Sequence, residues 1–241
     1  MHHGLKPELT MPATWKHRPG TYDADIFRSV VSPDCGEYRL SRLVFEPGEV
    51  FIDVGAHIGS AAFAARQRGA DHILCYEPCP KNFELLKVNV GRFAECNQKA
   101  VWGNSDLDGW MPLVPSTNPA NTGGNDVFGG PDDAPVAELI PLDEILSRFE
   151  SVAFLKLDCE GAEFPIIFQS ELIPRCEMLA IEYHCRGAGT FLELPIPDWA
   201  AIPGLPVWTG HALAGRLVDL GFEVEIVPDR ENLGKIFAQR K

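Results

Sequence analysis

The run Val50-Phe51-Ile52-Asp53-Val54 limits the fold more than any other stretch of this chain. Apolar residues follow one another there with a single carboxylate among them. A strand covered on both faces reads that way, whereas a strand with one wet face alternates. Such strands belong to parallel sheets flanked by helices, so the run predicts an α/β architecture. Gly55-Ala56-His57-Ile58-Gly59 then makes a tight turn, and Ser60 to Gln67 reads as a helix of small residues that stops at Gly69.

The pattern recurs along the chain. His72 to Tyr76 reads as a second strand ending at Glu77, Pro80 to Val90 as an amphipathic helix, and Ala94 to Val101 as a third strand. Later come a helix at Leu142 to Phe149, a buried strand at Val152 to Leu157 ending at Asp158, and a short helix at Phe164 to Gln169. A strand at Met178 to Tyr183 and a helix at His211 to Leu220 follow. Phe222 to Val227 and Lys235 to Ala238 leave no room for a helix between them and predict an antiparallel hairpin. Before the first buried strand, Glu37 to Phe45 alternates as a strand does. Residues 1–35 read as an irregular extension, in the role of a lid, with Trp15, Tyr22, Ile26 and Phe27 laid across the domain surface. Residues 36–241 then form a single domain with insertions at about 102–135 and 186–208. The first insertion is crowded with Gly, Pro, Asn and Asp, as in Gly123-Gly124-Asn125-Asp126 and Gly129-Gly130-Pro131. Trp110 to Val114 and Val136 to Ile140 are expected to pair across it.

Composition narrows the partners. With 34 Asp and Glu against 21 Lys and Arg, the chain carries a formal charge of −13, which disfavours nucleic acid and anionic lipid. No stretch approaches the ~20 apolar residues of a membrane span, and the first residues lack the apolar core of a secretory leader. The seven cysteines, Cys35 among them, are odd in number, scattered and without a Cys-x-x-Cys pair. That pattern argues against a disulfide framework or zinc knuckle and predicts thiols in a reducing cytoplasm.

The turn after the first strand carries the chemistry. Gly55 and Gly59 let backbone pass close to a ligand, at the strand ends where open α/β sheets bind ligands. Glu77, closing the second strand, is placed to accept ribose hydroxyls. A nicotinamide dinucleotide prefers Gly-x-Gly-x-x-Gly, and here His57 occupies the second glycine position. Asp53 beside the turn repels a pyrophosphate and favours an ammonium or sulfonium. The pattern therefore points to S-adenosylmethionine.

The segments Phe51 to Gly59, Tyr76-Glu77-Pro78, Asn82 to Leu86, Leu155 to Glu163 and Ala180 to His184 resemble the FkbM-type S-adenosylmethionine-dependent methyltransferases. Their Lys-x-Asp-x-Glu-Gly block, Lys156 to Gly161, is the most specific element. The resemblance implies a Rossmann-like class I methyltransferase fold, with a mostly parallel seven-stranded sheet and an antiparallel last strand. It implies methyl transfer to a hydroxyl of a sugar or natural product. By position, Asp53, Gly55, Ala56, His57 and Gly59 line the methionine end of the cofactor, Glu77 holds the ribose, and the adenine lies near Asn97 to Val101.

A hydroxyl acceptor must lose its proton, and Asp158, Glu160, Glu163, Glu182 and His184 are the candidates at the reacting edge. Asp158 is the first choice as base, against a role in orienting the cofactor or capping a helix. Glu160 and Glu163 are three apart and also suit the dipole of the next helix, Glu163 more so. His184 shares a strand face with Glu182, which reads as an acid-supported imidazole or a plain polar strand end. Asp158, Glu160 and Glu182 are also a candidate set for Mg²⁺, with no residue assigned as a metal ligand. At His57 the backbone is expected to matter more than the ring. Trp102, Trp110, Trp199 and Trp208 read either as platforms for a planar acceptor or as loop anchors. The expected partner is a small hydroxyl-bearing acceptor, without nucleic acid or membrane, and a homodimer is compatible with the sequence. The alternatives are N-methylation of an amine or peptide, and cofactor binding without catalysis.

Overall fold

The computed structural model describes residues 10–33, 36–103, 109–128, 135–190 and 192–241. Cys35, the leader reading of the first residues and parts of the 102–135 insertion, Gly129-Gly130-Pro131 included, lie outside them. Strand β1 (Val50–Val54) is buried along its whole length between β2 (His72–Tyr76) and β7 (Val152–Leu157), parallel to both. Val50, Ile52 and Val54 join one hydrophobic core and Phe51 the other. The contiguous apolar run is thus spent on two helical layers.

The main sheet is completed by β3 (Glu95–Asn97), β8 (Cys176–His184), β9 (Phe222–Arg230) and β10 (Leu233–Arg240), in the order β3-β2-β1-β7-β8-β10-β9. Strand β10 runs antiparallel to both β8 and β9, as the short link between the last two strands requires. The chain turns outward from β1 to β2 and β3, then returns to β7 on the other side. The strand order therefore reverses between β1 and β7, and a crevice opens at their carboxyl ends.

Helix α2 (Ser60–Gln67) buries Ala61, Ala62, Ala64 and Ala65, small side chains that bring its axis close to the sheet. Helix α3 (Pro80–Val90) starts with Pro at its first position, where no backbone donor is lost. Helices α4 (Leu142–Leu146), α5 (Glu163–Gln169) and α6 (Gly210–Asp219) cover the opposite core, α6 capped by Thr209, whose hydroxyl accepts from Ala212 N–H at 3.2 Å. Among the described residues no helix is long and apolar enough to cross a membrane.

Three elements differ from expectation. Residues 37–45 form no strand; Leu40–Arg42 make a 3-10 turn, with Arg39 at φ 57°. Their buried positions, Tyr38, Leu40 and Phe45, pack beneath the domain instead of pairing on a ladder, and the Tyr38 hydroxyl is spent on Asp158. The stretch 94–101 splits: β3 stays in the main sheet, while β4 (Ala100–Trp102) leaves it to pair with β6 (Val136–Pro141). The expected pairing across the insertion is present, with β5 (Trp110–Pro112) antiparallel to β6. The N-terminal segment holds a helix, α1 (Asp23–Val31), whose Phe27, Val30 and Val31 are buried. Trp15 packs on Phe27 and Phe63 with ring centroids 4.7 and 5.5 Å away, so the segment enters the core and does not lie on its surface. Phe27→Ala should cost about 3–5 kcal/mol in urea unfolding, as loss of a large core aromatic does. A loss below about 1 kcal/mol would show that the segment is only laid on the domain.

Candidate active site

The glycine turn is held by packing from both sides. Gly55 (φ 72°) and Ala56 each donate a backbone N–H to the Tyr76 carbonyl, at 3.0 Å in both cases. A side chain at Gly55 would collide with the backbone carbonyl of Asp158, so the turn sits directly against the end of β7. Gly59 (φ 98°) does similar work against Val90 and Leu86 of α3. Between them His57 adopts φ 50°, a strained backbone for a residue with a side chain. That geometry lets its N–H donate to Glu77 Oε2 at 2.8 Å. Glu77 Oε1 accepts from Cys79 N–H (2.9 Å) and Asn82 Nδ2 (3.2 Å), and burial pushes the Glu77 carboxyl above the usual carboxylate range.

Asp53 is fully buried, and its cation comes from within the fold. Lys156 is its register partner on β7, with Nζ 3.0 Å from Asp53 Oδ1. The same ammonium donates to the Gly55 carbonyl at 2.6 Å and the Val54 carbonyl at 3.3 Å, and lies 3.7 Å from Asp158 Oδ2. Burial raises the Asp53 pKa against the pull of Lys156, whose own pKa rises because its neighbouring carboxylates outweigh burial. The sequence sets the Asp53 charge against an ammonium or sulfonium of the cofactor; in the structure the ammonium beside it is that of Lys156. The signal was present, since Lys156 interrupts the apolar run Phe154-Leu155-Lys156-Leu157.

Asp158, at the end of β7, accepts the Tyr38 hydroxyl on Oδ2 at 2.7 Å. Burial would raise its pKa, but Lys156, His184 and Tyr38 outweigh it and hold the carboxyl low. Beyond it the chain makes a strap in which Glu160 (φ 56°) and Gly161 (φ 109°) are left-handed. Glu163, fully buried, clamps that strap: its carboxylate accepts from Cys159 N–H at 2.7 Å and Gly161 N–H at 2.8 Å. It also faces His184 Nδ1 at 3.2 Å, which turns Nε2 toward Glu160 Oε2 at 3.4 Å. Glu163 thus does more than meet a helix dipole. The acids within ion-pair distance of His184 are Glu160 and Glu163; Glu182 lies 3.6 Å from Lys235 and feels His184 only through its charge. Side chains two apart on a strand stand well separated, whereas α5 docks Glu163 directly onto the end of β8.

Burial, reinforced by Asp158 and Glu163, pushes Glu160 up to about 7 although 28% of its side chain reaches the cavity. Burial and Asp158 likewise push Glu182 up to about 8. His184 goes the other way from ordinary burial, because Glu160 and Glu163 hold it protonated. Among the described residues, the donor atoms that converge within 4.8 Å belong to Asp158, Glu163 and His184, a different set from the one expected for Mg²⁺. Glu163 already spends both oxygens on backbone N–H groups, so no metal ligand is assigned there.

A cavity of about 670 Å³ joins these parts. Gly55, Ala56, His57 and Glu77 line it together with Asp158, Glu160, Glu182 and His184, whereas Asp53 and Gly59 do not. The buried Ser60 hydroxyl also lines the cavity and has no hydrogen-bond partner among the described residues. The four candidate tryptophans stand outside it. Trp102 and Trp208 are buried in an aromatic cluster with Phe128, Phe164 and the half-exposed Trp199, which ties the two insertions together.

A glycine turn after the first strand, an acidic end to the second and this strand order define a class I S-adenosylmethionine-dependent methyltransferase. Residues 53–197, more than half of the chain, match the model of the methyltransferase FkbM domain, and the chain belongs to that family. Its cofactor is therefore S-adenosylmethionine. The buried, unpartnered Ser60 hydroxyl, which lines the cavity beside the turn, fits a cofactor there. Similar solved structures include a precorrin-6y C5,15-methyltransferase from Geobacter metallireducens, 13% identical, covering 84% of this chain and 85% of that one with a TM-score of 0.44. A TehB-like methyltransferase from Corynebacterium glutamicum is 12% identical, with 86% and 89% covered and a TM-score of 0.44. A ribosomal protein L11 methylase from Lactobacillus delbrueckii is 13% identical, with 84% and 75% covered and a TM-score of 0.42. No curated protein matches the chain.

Lys156→Met leaves Asp53 buried without its counter-charge and should cost about 3–5 kcal/mol in chemical unfolding. Asp53→Asn in the same chain should recover most of that loss. A single variant that loses less than about 1 kcal/mol would show that the pair does not organise the edge.

Proposed function

We propose that this protein O-methylates a hydroxyl group of a sugar or natural-product small molecule. The observation that supports this reading is a raised carboxyl, Glu160, opening into the same cavity as the cofactor turn. The backbone of Gly55, Ala56 and His57 meets the methionine end of the cofactor and Glu77 the ribose. Asp53 and Gly59 act from behind, through Lys156 and α3. Bound S-adenosylmethionine supplies a methyl group on a sulfonium, already activated for in-line displacement.

The chain's own task is alignment and removal of one proton. Asp158 is the less suitable base, because Tyr38 and Lys156 keep it low and ionised; it orients the edge instead. Glu160, near 7, matches proton transfer at neutral pH and takes the hydroxyl proton. His184, fixed by Glu163 and cationic, faces Glu160 and steadies the anion from which the transfer starts.

Methyl-labelled S-adenosylmethionine and a panel of glycosides and hydroxylated aglycones test this directly. Label should appear on oxygen. The active form is deprotonated Glu160, so kcat/KM should fall about tenfold per unit as pH drops below about 7 and level off above it. Glu160→Gln should cut turnover by about 10²–10⁴ and abolish that limb. Label on nitrogen alone, or an unchanged profile in Glu160→Gln, contradicts the reading.

A further inference from the structure

Arg18 and Asp23 precede the region matched to the family, yet both reach the cofactor turn. Asp23 opens α1 and is fully buried. Its Oδ2 accepts from Arg18 N–H (2.9 Å) and Arg18 Nε (2.8 Å), and its Oδ1 from Arg18 Nη2 (3.0 Å) and the Thr122 hydroxyl (2.6 Å). Thr122 belongs to the insertion. Its Oγ1 also stands 2.8 Å from His57 Nε2 and accepts from Arg18 Nη2 at 3.0 Å. Asn82 of α3 completes the knot. It accepts from Arg18 Nη1 at 2.8 Å and donates to the Thr122 carbonyl at 2.9 Å and to Glu77 Oε1 at 3.2 Å.

Three segments distant in sequence therefore meet at one hydroxyl, and α3 holds the carbonyl of the same residue through Asn82. A threonine hydroxyl has one proton and two lone pairs. The proton goes to Asp23, one lone pair accepts from Arg18 Nη2, and His57 Nε2 stands beside the hydroxyl at 2.8 Å. Above the knot, Tyr22 N–H donates to the Ala120 carbonyl at 2.9 Å. Tyr22 and Ile26 from the N-terminal segment, with Asn118 and Asn121 from the insertion, wall the cavity. Both sources of that wall are pinned at the knot. The knot is in turn wired to the ribose end through Asn82 and through His57 N–H, both on Glu77.

We infer that Asp23 and Thr122 are positioning residues for cofactor retention, holding the N-terminal segment and the insertion down on His57 and Asn82 so that cofactor leaves only when this knot opens. The inference rests on the cavity being the S-adenosylmethionine site. It gives Asp23, which precedes the family-matched region, and Thr122, which lies within it, a part in the reaction: they control how long cofactor and product stay, without touching the reacting atoms.

Stopped-flow binding of S-adenosylhomocysteine to the full chain separates this from a purely structural role. In Thr122→Val, nearly isosteric but without the hydroxyl, the off-rate should rise about tenfold or more with little change in on-rate, as the loss of buried hydrogen bonds implies. Asp23→Ala should act in the same direction. Thr122→Ser keeps the hydroxyl and should stay within about twofold of wild type. General destabilisation would lower the melting temperature of these variants without this split between rates, and the two Thr122 variants carry the test if Asp23→Ala does not fold. Wild-type protein that fails to bind S-adenosylhomocysteine overturns the cofactor reading itself. Wild-type protein that binds, with a Thr122→Val off-rate within about twofold of its own or a Thr122→Ser off-rate as fast as that of Thr122→Val, overturns the knot alone.

Discussion

The carboxyl edge of the sheet is organised around one buried ammonium. Lys156 Nζ stands between Asp53 on β1 and Asp158 at the end of β7, and donates to the carbonyl of Gly55 in the glycine turn. Taking an isolated charge from water into a protein core is prohibitive, and a buried pair adds little net stability after desolvation. Its use here is positional. Because Asp53 and Lys156 are register partners, the pair closes only when β1 and β7 are correctly aligned. The alignment brings the glycine turn and the acidic edge into one cavity. The missing side chain of Gly55 then allows contact at the distance the pair sets.

Glu163 does for the acidic edge what Lys156 does for the turn. One buried carboxylate holds two backbone N–H groups of the strap and one imidazole nitrogen, and so fixes Glu160 and His184 relative to each other. The result is a division of labour among acids close in sequence. Asp158 is low and committed, Glu163 is structural, and Glu160 is raised and open to the cavity. A net charge of −13 is thus partly concentrated, with Asp158, Glu160, Glu163 and Glu182 facing only a few cations at one sheet edge. That excess of negative charge, added to burial, keeps Glu160 and Glu182 up near neutrality.

Elements whose signal is local were legible in the sequence. Strands β1, β2 and β7 announce themselves as apolar runs, the glycine turn as Gly-x-x-x-Gly, and the last hairpin by the shortness of its link. What was missed depends on partners far along the chain. The alternation at 37–45 does not show that Tyr38 is claimed by Asp158, 120 residues on. Helix α1 is short and gains its stability from Trp15 and Phe63, so propensity alone does not mark it. The pairing of Glu182 with His184 followed strand periodicity, but a helix docked from outside the sheet supplied the nearer acid. Arg18, Asp23 and Thr122 carry no motif, and only the fold brings them to His57.

A crystal structure with S-adenosylhomocysteine tests the central claim, that one cavity holds both the cofactor and the proton acceptor. The account predicts the ribose on Glu77, the methionine end along Gly55 to His57, and the sulfur directed toward Glu160 and His184. A ligand bound with its ribose away from Glu77, or with its sulfur directed away from Glu160 and His184, would contradict it.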